Sequence, residues 1–213
     1  MFKNRNQAGK QLADKIKQEA NLDYRKSLVV SLPKGGVVIG AVLSALLDLP
    51  HQALAIKKIT LNIDTQLAIG AVGESSQSLI LNQDLINQLK ADEEEVKKAI
   101  KETQNQIREI KKQLEISESI NWKNKTIIIA DDGAATGATI LSAIKEVGER
   151  GVSKIIIALP VAPKETVDLL QEKADKVIVL EQPELFFAVS EFYEDFPQLT
   201  WDEVKNLLKL NQD

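Results

Sequence analysis

The sequence predicts an α/β protein whose sheet is open, twisted and mainly parallel, with helices on its faces. Its last third alternates runs rich in Ile and Val with stretches of helical spacing that are ten or more residues long. The runs are continuously apolar, which is typical of parallel strands that are buried on both faces. The chain has 213 residues and is 44% apolar. That is enough for one domain with a sizeable core, so we expect a single domain over residues 1–213.

Apolar spacing and Gly/Pro punctuation indicate the elements of the first part in chain order. Small and aliphatic side chains at intervals of four indicate a helix, and continuous β-branched runs indicate buried strands. The predicted elements are a helix at 6–20, a strand at 27–32, a helix at 37–47, a short strand at 53–59 and, at 60–78, a loop with one or two short strands. The last stretch has no strong period and contains Gly70 and Gly73.

A long amphipathic helix is predicted in the middle of the chain, where no Gly or Pro occurs between residues 74 and 132. Aliphatic residues there recur at spacings of seven, four, seven, three and four, namely Leu89, Val96, Ile100, Ile107, Ile110 and Leu114. This period places them on one face of a helix, which would form an insertion at about 83–117. We expect that face to pack on the domain's own sheet. Dimerisation through a coiled coil is the alternative, although the heptad is not sustained.

The final part of the chain is the most regular. Strands are predicted at 126–130, 154–159 and 176–180, with helices at 138–150 and 164–173 between them. Connections of this kind are right-handed crossovers, and they produce a parallel sheet that is covered on both faces.

Composition excludes several function classes. There is no cysteine, so disulfide scaffolds, cysteine-ligated metal sites and thiol nucleophiles are ruled out. The sole histidine, His51, argues against a His-rich metal site and is expected in a surface loop next to Pro50. No apolar run approaches the roughly 20 residues that cross a bilayer, and no secretion leader is recognisable. We therefore expect a soluble, cytoplasmic protein without a membrane partner.

The net charge of −4 hides a gradient along the chain. Residues 1–60 carry ten basic and four acidic side chains, whereas residues 181–213 carry two and eight. With a pI near 5.3, a nucleic-acid partner is not expected. The charge does not exclude binding of a small anionic ligand by a local basic cluster.

The most informative segment follows the strand predicted at 126–130. That strand ends in Asp131 and Asp132, and a loop of small and hydroxyl residues leads from them into the next helix. Ligands bind beyond the carboxyl ends of parallel strands, and free amides at a helix N-terminus together with threonine hydroxyls suit a phosphate. The segment is neither a Walker A loop nor a G-x-G-x-x-G motif. The plain alternative is a tight strand-to-helix turn capped by an aspartate.

This segment resembles the phosphoribosyl pyrophosphate (PRPP) signature of type I phosphoribosyltransferases: four apolar residues, two acidic residues and a loop that ends in Thr-Gly-x-Thr. Along almost its whole length the chain is similar to a bacterial family of phosphoribosyltransferases, with matching blocks at 32–36, 67–72 and 183–189. The resemblance implies the type I fold, with hood elements from about 1–25 and 181–213. It also implies PRPP and Mg²⁺ as ligands and transfer of the phosphoribosyl group to a nucleobase-like acceptor with release of pyrophosphate. A homodimer stays open.

The resemblance also assigns roles to residues. Asp131 and Asp132 would contact the ribose hydroxyls, directly or through Mg²⁺. The turn Lys34-Gly35-Gly36 would bind pyrophosphate, often through a cis peptide in this family, and paired glycines allow the close backbone approach that this needs. A simple loop is the alternative there. The residues that would enclose the 5′-phosphate are Gly133, Ala134, Ala135, Thr136, Gly137, Ala138 and Thr139.

Two further pairs complete the predicted site. Lys57 and Lys58 match a basic pair before the mobile loop of this fold and are the catalytic candidates, since they could neutralise charge on departing pyrophosphate. The alternative, which has equal weight, is that the two lysines simply lie at an exposed strand end without a catalytic role. Phe187 and Tyr193 belong to an aromatic-rich C-terminal segment and are candidates for stacking on a flat acceptor, although these rings could instead close the core or a dimer seam.

Departures from the family pattern bear on activity. Lys34 stands where an arginine is expected, and no Gly or Pro lies between Lys58 and Leu67. The basic stretch expected after the long helix is absent from residues 114–119. Ala135 replaces the loop aspartate of the 6-oxopurine enzymes, which makes such an acceptor a poor candidate. The main alternative is therefore a non-catalytic PRPP or nucleotide sensor, and the third is a structural protein that uses the long helix as an interface.

Overall fold

The structure is a computed structural model that describes residues 1–61, 64–116 and 120–209. Within them lie seven α-helices and eight strands. Among these helices, none combines the length and the apolar character that crossing a membrane requires. In chain order the elements are α1 (Arg5–Glu19), β1 (Ser27–Ser31), α2 (Gly35–Leu47), β2 (His51–Ala53), β3 (Lys57–Leu61), β4 (Asp64–Val72), β5 (Ile80–Leu81), α3 (Gln83–Gln88), α4 (Glu93–Gln113), β6 (Thr126–Ala130), α5 (Ala138–Gly148), β7 (Lys154–Val161), α6 (Lys164–Gln171), β8 (Lys176–Glu181) and α7 (Trp201–Lys209).

Five strands form one sheet in the order β2-β1-β6-β7-β8. Every neighbouring pair in it is parallel, which confirms the predicted α/β class. Strand β6 shows why its sequence is continuously apolar. Ile127 and Ile129 lie in one core with residues of α5 and α6, and Ile128 lies in a second core with residues of α1 and α2. Both faces of the sheet are covered, and burial of each such side chain contributes about 1.5–3 kcal/mol.

A second, antiparallel sheet has the strand order β3-β4-β5. The strand predicted at 53–59 is divided between the end of β2 and the start of β3. The prediction of a loop with short strands at 60–78 is wrong for β4, which is nine residues long. The sequence pattern of β4 is weak because Ala68, Gly70 and Ala71 have low strand propensity. The strand is stabilised by its pairing with β3 and β5, not by the preferences of its own residues.

The predicted long helix is interrupted at residues 89–92. Helix α4 then starts with a capping box, in which Asp92 accepts from the Glu95 amide and Glu95 accepts from the Asp92 amide. The apolar face of α4 lies in one core with residues of β3 and β4. It therefore packs on a sheet of this chain, as predicted, but on the antiparallel one. Its buried residues are Val96, Ala99, Thr103 and Ile107.

The N-terminus meets the segment that follows β8. The Phe2 amide donates to the Phe192 carbonyl oxygen at 2.7 Å, and the Glu194 amide donates to the Phe2 carbonyl oxygen at 2.8 Å. Phe2 and Tyr193 share the core of α1 and α2. Helix α7, which the sequence analysis did not predict, packs on α2 and β2. Both ends of the described chain are thus held on one side of the main sheet.

His51 corrects a prediction, because it lies in β2 and not in a surface loop. It is 3% exposed, and the parallel pairing of β2 with β1 puts its Nε2 at 2.7 Å from the Ser31 hydroxyl oxygen. Burial lowers the pKa of His51 to about 4, so the ring is neutral at pH 7. The loop expectation came from Pro50, but a proline can precede an edge strand without interrupting its hydrogen bonds.

Candidate functional site

Two neighbouring parallel strands, β1 and β6, bring the two predicted loops to the same place. Ser31 pairs with Ala130 at their carboxyl ends, so the turn after β1 and the loop after β6 lie side by side. Both open on a cavity of about 700 Å³. Its lining also includes residues of β3 and α4. The structure therefore brings together elements that are far apart in the sequence.

The loop after β6 is shaped by one glycine and by a contact from α6. Gly137 has a φ of 72° and is the N-cap of α5, and this left-handed conformation favours glycine. Thr166 of α6 donates its hydroxyl to the Ala135 carbonyl oxygen at 2.5 Å. All the loop residues predicted for the 5′-phosphate line the cavity except Ala138, which packs against the core. The N-terminus of α5 thus adjoins the cavity, where its free amides can bind an anion.

Asp131 and Asp132 lie between the two loops and line the cavity. The Asp132 amide donates to Oδ1 of Asp131 at 2.9 Å. Burial raises the pKa of Asp131 well above its ordinary value, and the negative charge of Asp132 adds to the rise. Two adjacent buried carboxylates favour a cation or hydroxyl donors beside them.

Arg5 is a site residue that the sequence analysis missed. Its Nε donates to Oδ2 of Asp132 at 2.8 Å, and its Nη1 donates to the Pro197 carbonyl oxygen at 2.9 Å. Its guanidinium carbon lies 3.7 Å from the centroid of the Phe196 ring. Burial raises the pKa of Asp132, and the Arg5 guanidinium opposes that rise. No local pattern could have found this ion pair, because 127 positions separate its two residues.

The turn after β1 is joined to α7. The peptide bond between Pro33 and Lys34 is cis, as the resemblance implied for this turn. Of the three residues of this turn, Lys34 and Gly35 line the cavity and Gly36 does not. Gly36 lies against Asp131 instead, since a Cβ atom on it would stand 2.7 Å from Oδ1 of Asp131. Lys34 Nζ lies 4.7 Å from the centroid of the Trp201 ring, a cation–π contact. The ammonium group is thus held at the rim by a helix that the sequence analysis did not predict.

The opposite wall is basic and helical. Lys57 and Lys58 line the cavity from the start of β3, and the positive charge of Lys58 partly opposes the raised pKa of Asp131. Helix α4 adds one face of four lining residues, Ala99, Glu102, Thr103 and Gln106. The apolar pattern could not predict this wall, because only part of the face is apolar. Two departures from the family pattern, at 58–67 and 114–119, are covered by the structure only in part, since residues 62–63 and 117–119 lie outside the described residues.

The two stacking candidates lie away from the cavity. Phe187 is 79% exposed and, among the described residues, does not belong to the cavity lining, although its neighbour Val189 does. Tyr193 is 6% exposed, its ring contacts Phe2 and Phe196, and its hydroxyl donates to the Asp132 carbonyl oxygen at 2.6 Å. In this structure Tyr193 therefore contacts the main chain of the acidic pair, and its ring does not belong to the cavity lining.

The acidic pair is the candidate place for Mg²⁺ in this structure. Within the described part of the chain, no group of three or more His, Cys, Asp or Glu side chains could hold a metal ion. Mg²⁺, however, commonly uses one or two carboxylates and takes its other ligands from water and substrate phosphates. Asp131 offers such an oxygen donor at the cavity. The residues present therefore fit Mg²⁺ that arrives with a phosphorylated ligand.

Fold and site together define an α/β protein with a cavity beyond the carboxyl ends of its parallel strands, where carboxylates and two glycine-containing loops meet and where proteins with such sheets bind their ligands. Residues 2–197 match the family model described as "Phosphoribosyl transferase domain". The chain therefore belongs to the phosphoribosyl transferase family, which confirms the resemblance seen in the sequence.

Individual relatives agree with this assignment. In two strains of Mycobacterium tuberculosis, a protein whose provisional name is phosphoribosyl transferase is 31% identical over 208 residues, which cover 96% of this chain and 45% of that protein. The chain thus spans less than half the length of these relatives. The crystal structure of a Thermus thermophilus protein, TT1426, superposes with a TM-score of 0.78 at 28% identity and covers 99% of both chains.

Proposed function

We propose that the chain binds PRPP together with Mg²⁺ and transfers the phosphoribosyl group to a nucleobase-like acceptor, with release of pyrophosphate. One observation carries the proposal: a single cavity is lined at once by the loop after β6, the acidic pair, the turn at Lys34 and the pair of Lys57 and Lys58. Its volume of about 700 Å³ lies within the range of sites for small ligands. Family membership supports a transfer reaction, and its substrates are part of the proposal.

Each element has its own role in this reaction. The amides and hydroxyls of residues 133–139 hold the 5′-phosphate at the N-terminus of α5. The acidic pair faces the ribose hydroxyls. The turn at Lys34 and the two lysines of β3 face pyrophosphate, whose negative charge grows as it departs. Mg²⁺, when bound with the ligand at Asp131, would supply further charge neutralisation.

The chemistry is a displacement at ribose C1. A ring nitrogen of the acceptor attacks C1, the bond between C1 and the pyrophosphate oxygen breaks, and the electron pair leaves with pyrophosphate. The acceptor nitrogen gives up its proton to water. Positioning of the two reactants and charge neutralisation lower the barrier without a covalent enzyme intermediate. Because Ala135 leaves the loop without a carboxylate beside Thr136, we propose an acceptor other than a 6-oxopurine.

Calorimetric titration with PRPP, with and without Mg²⁺, tests the ligand. We expect saturable binding that Mg²⁺ strengthens, and weaker binding of ribose 5-phosphate, which lacks the diphosphate. Thr136→Val removes a hydroxyl donor from the exposed tip of the loop. It should weaken PRPP binding at least tenfold without changing the melting temperature, since a hydrogen bond to a charged group contributes about 1.5–3 kcal/mol. Absence of PRPP binding to the folded wild type would refute the proposal.

A non-catalytic PRPP sensor is the second candidate function. It is favoured by the lack of Gly and Pro between residues 58 and 67, where a closing lid would need a permissive backbone. An assay of pyrophosphate release over a panel of nucleobases separates the two functions. Release with one acceptor supports the transferase, and tight PRPP binding without release for any acceptor supports the sensor.

A further inference from the structure

The loop after β6 has only main-chain groups and hydroxyls with which to bind a phosphate. Residues 133–139 contain no basic side chain, and the lysines that line the cavity lie on the turn after β1 and on β3. Among the described residues, the amides of residues 135–139 have no hydrogen-bond acceptor. Binding of an anion at this place therefore depends on the direction in which those amides point.

The connection from β7 to α6 holds this loop at two points. The Ala134 amide donates to the carbonyl oxygen of Val161, the last residue of β7, at 3.0 Å. The hydroxyl of Thr166, in the first turn of α6, donates to the Ala135 carbonyl oxygen at 2.5 Å. The amide of Ala134 is thus engaged by the main sheet, and the amides that follow it are the ones a ligand can use.

The second of these contacts fixes the orientation of one peptide group. The peptide bond between Ala135 and Thr136 is trans, so its C=O and N–H groups point in opposite directions. Ala135 and Thr136 line the cavity, and Thr166 does not. Because the Ala135 carbonyl group points back to α6, the Thr136 amide points away from α6, on the side of the loop where the cavity lies.

Thr166 is well placed to maintain this contact. It is 5% exposed, and its methyl carbon would stand 3.1 Å from a Cβ atom built on Gly137, so α6 packs closely against the loop. Ala135 and Thr136, in contrast, are exposed and lie between two glycines. Such a backbone has few other constraints, and without the Thr166 hydroxyl this peptide group is free to turn over.

We propose that Thr166 is a positioning residue for the 5′-phosphate, because it aims the Thr136 amide at the cavity before a ligand arrives. The inference rests on the proposed function and adds to it a residue that lies outside the motif after β6. A donor that already points at the place of its acceptor does not have to be ordered during binding. The Thr166 hydroxyl therefore contributes to affinity without touching the ligand.

Three variants test this role: Thr166→Val, which keeps the shape of the side chain without the hydroxyl, Thr166→Ser, which keeps the hydroxyl, and Ser44→Ala as a matched control. Ser44 is also 5% exposed, and its hydroxyl donates to the Leu49 carbonyl oxygen at 2.5 Å. Among the described residues it is not part of the cavity lining. Calorimetry in the presence of Mg²⁺ measures the affinities for PRPP, ribose 5-phosphate and inorganic pyrophosphate, and thermal unfolding measures stability.

Thr166→Val should weaken PRPP and ribose 5-phosphate by about tenfold, since it misdirects one hydrogen bond to a charged group, and should leave the affinity for pyrophosphate unchanged. Thr166→Ser should bind all three ligands as the wild type does. Ser44→Ala should lower the melting temperature without changing any of the affinities. Unchanged affinity of Thr166→Val for ribose 5-phosphate, or equal weakening of ribose 5-phosphate and pyrophosphate, would overturn the inference.

Amide signals in NMR spectra give a second readout, which mere support of the fold would not change. At saturating ribose 5-phosphate, the Thr136 amide signal should shift strongly in the wild type and weakly in Thr166→Val, whereas the Ala134 signal should shift little in both proteins. Equal shifts of the Thr136 signal in the two proteins would contradict the inference while the proposed function stands. If the wild type binds neither PRPP nor ribose 5-phosphate, the proposed function fails and the inference fails with it.

Discussion

Gly35 and Asp132 are in such close contact that a Cβ atom on Gly35 would lie 1.8 Å from Oδ2 of Asp132 and 2.8 Å from Nε of Arg5. The first turn of α2 therefore rests directly on the ion pair. The glycine that the sequence analysis assigned to pyrophosphate binding also leaves room for the carboxylate. The two predicted phosphate loops are thus in direct packing contact, and we expect a change in one loop to disturb the other.

Gly35→Ala should disturb both loops at once. The added methyl group has no room, and its neighbour is a carboxylate held by Arg5, not the free end of a flexible side chain. We expect the free energy of unfolding to fall by about 1–3 kcal/mol, as for other overpacked sites, and PRPP affinity to fall at least tenfold. Urea unfolding and calorimetry measure the two effects.

Gly148→Ala is the matched control for that substitution. Gly148 is the last residue of α5, and beyond its own helix and chain neighbours no described atom lies within 4 Å of a Cβ atom built there. Alanine should be neutral or stabilise by up to about 1 kcal/mol, with PRPP affinity unchanged. Equal effects of the two substitutions would contradict the packing argument.

Trp201→Leu should weaken pyrophosphate binding through Lys34. The ring holds the ammonium group at the rim of the cavity, with Nζ 4.7 Å from the ring centroid. A contact of this kind contributes about 1 kcal/mol, so we expect PRPP affinity to fall about fivefold while that of ribose 5-phosphate, which lacks the diphosphate, is unchanged. Trp201→Phe keeps an aromatic face and should lose less. If both ligands weaken equally, α7 supports the fold without positioning Lys34.

His51 should make stability depend on pH. Its pKa is about 4 in the folded chain and near 6.5 when unfolded. A lowered pKa in the folded state means that the unfolded chain binds the proton first. The contribution is therefore complete above pH 6.5 and is lost as pH falls from 6.5 to 4. The shift corresponds to about 3 kcal/mol.

His51→Gln isolates this effect from the titration of carboxylates. Glutamine can still bond to Ser31 but does not titrate. Urea unfolding at several pH values should show that the wild type loses about 3 kcal/mol more than the variant between pH 6.5 and 4. Parallel curves for the two proteins would show that His51 is already charged or exposed in the folded state.

The main sheet was predictable because its signal is local. In β6, every side chain from 127 to 129 is apolar since α5 and α6 cover one face and α1 and α2 cover the other. β4 and α7 carried no comparable signal. β4 is stabilised by its partner strands despite its small residues, and α7 is short and depends on contacts with α2 and β2.

The place of the candidate site in the fold was predictable in part, because part of its signal is also local. The carboxylates and the loop after β6 form one contiguous motif, and the structure places that motif at the cavity. Arg5 and Trp201 reach the site from the two ends of the chain, so their spacing from the motif carries no information. His51 was misplaced because the apolar environment that lowers its pKa exists only after β2 pairs with β1.

The sequence leaves open that the long helix, α4, forms an interface between copies of the chain. Substitution of Ile107 tests that alternative. Ile107 is 1% exposed and lies in the core with residues of β3 and β4, so Ile107→Ala should cost about 2–5 kcal/mol in unfolding free energy at unchanged oligomeric state. Lys101→Ala, at an exposed position of the same helix, should change stability by less than about 0.5 kcal/mol. Sedimentation and urea unfolding of both variants measure this. Loss of a dimer in Ile107→Ala without loss of unfolding free energy would instead place this face in an interface, because a buried core residue cannot be truncated without destabilising its own fold.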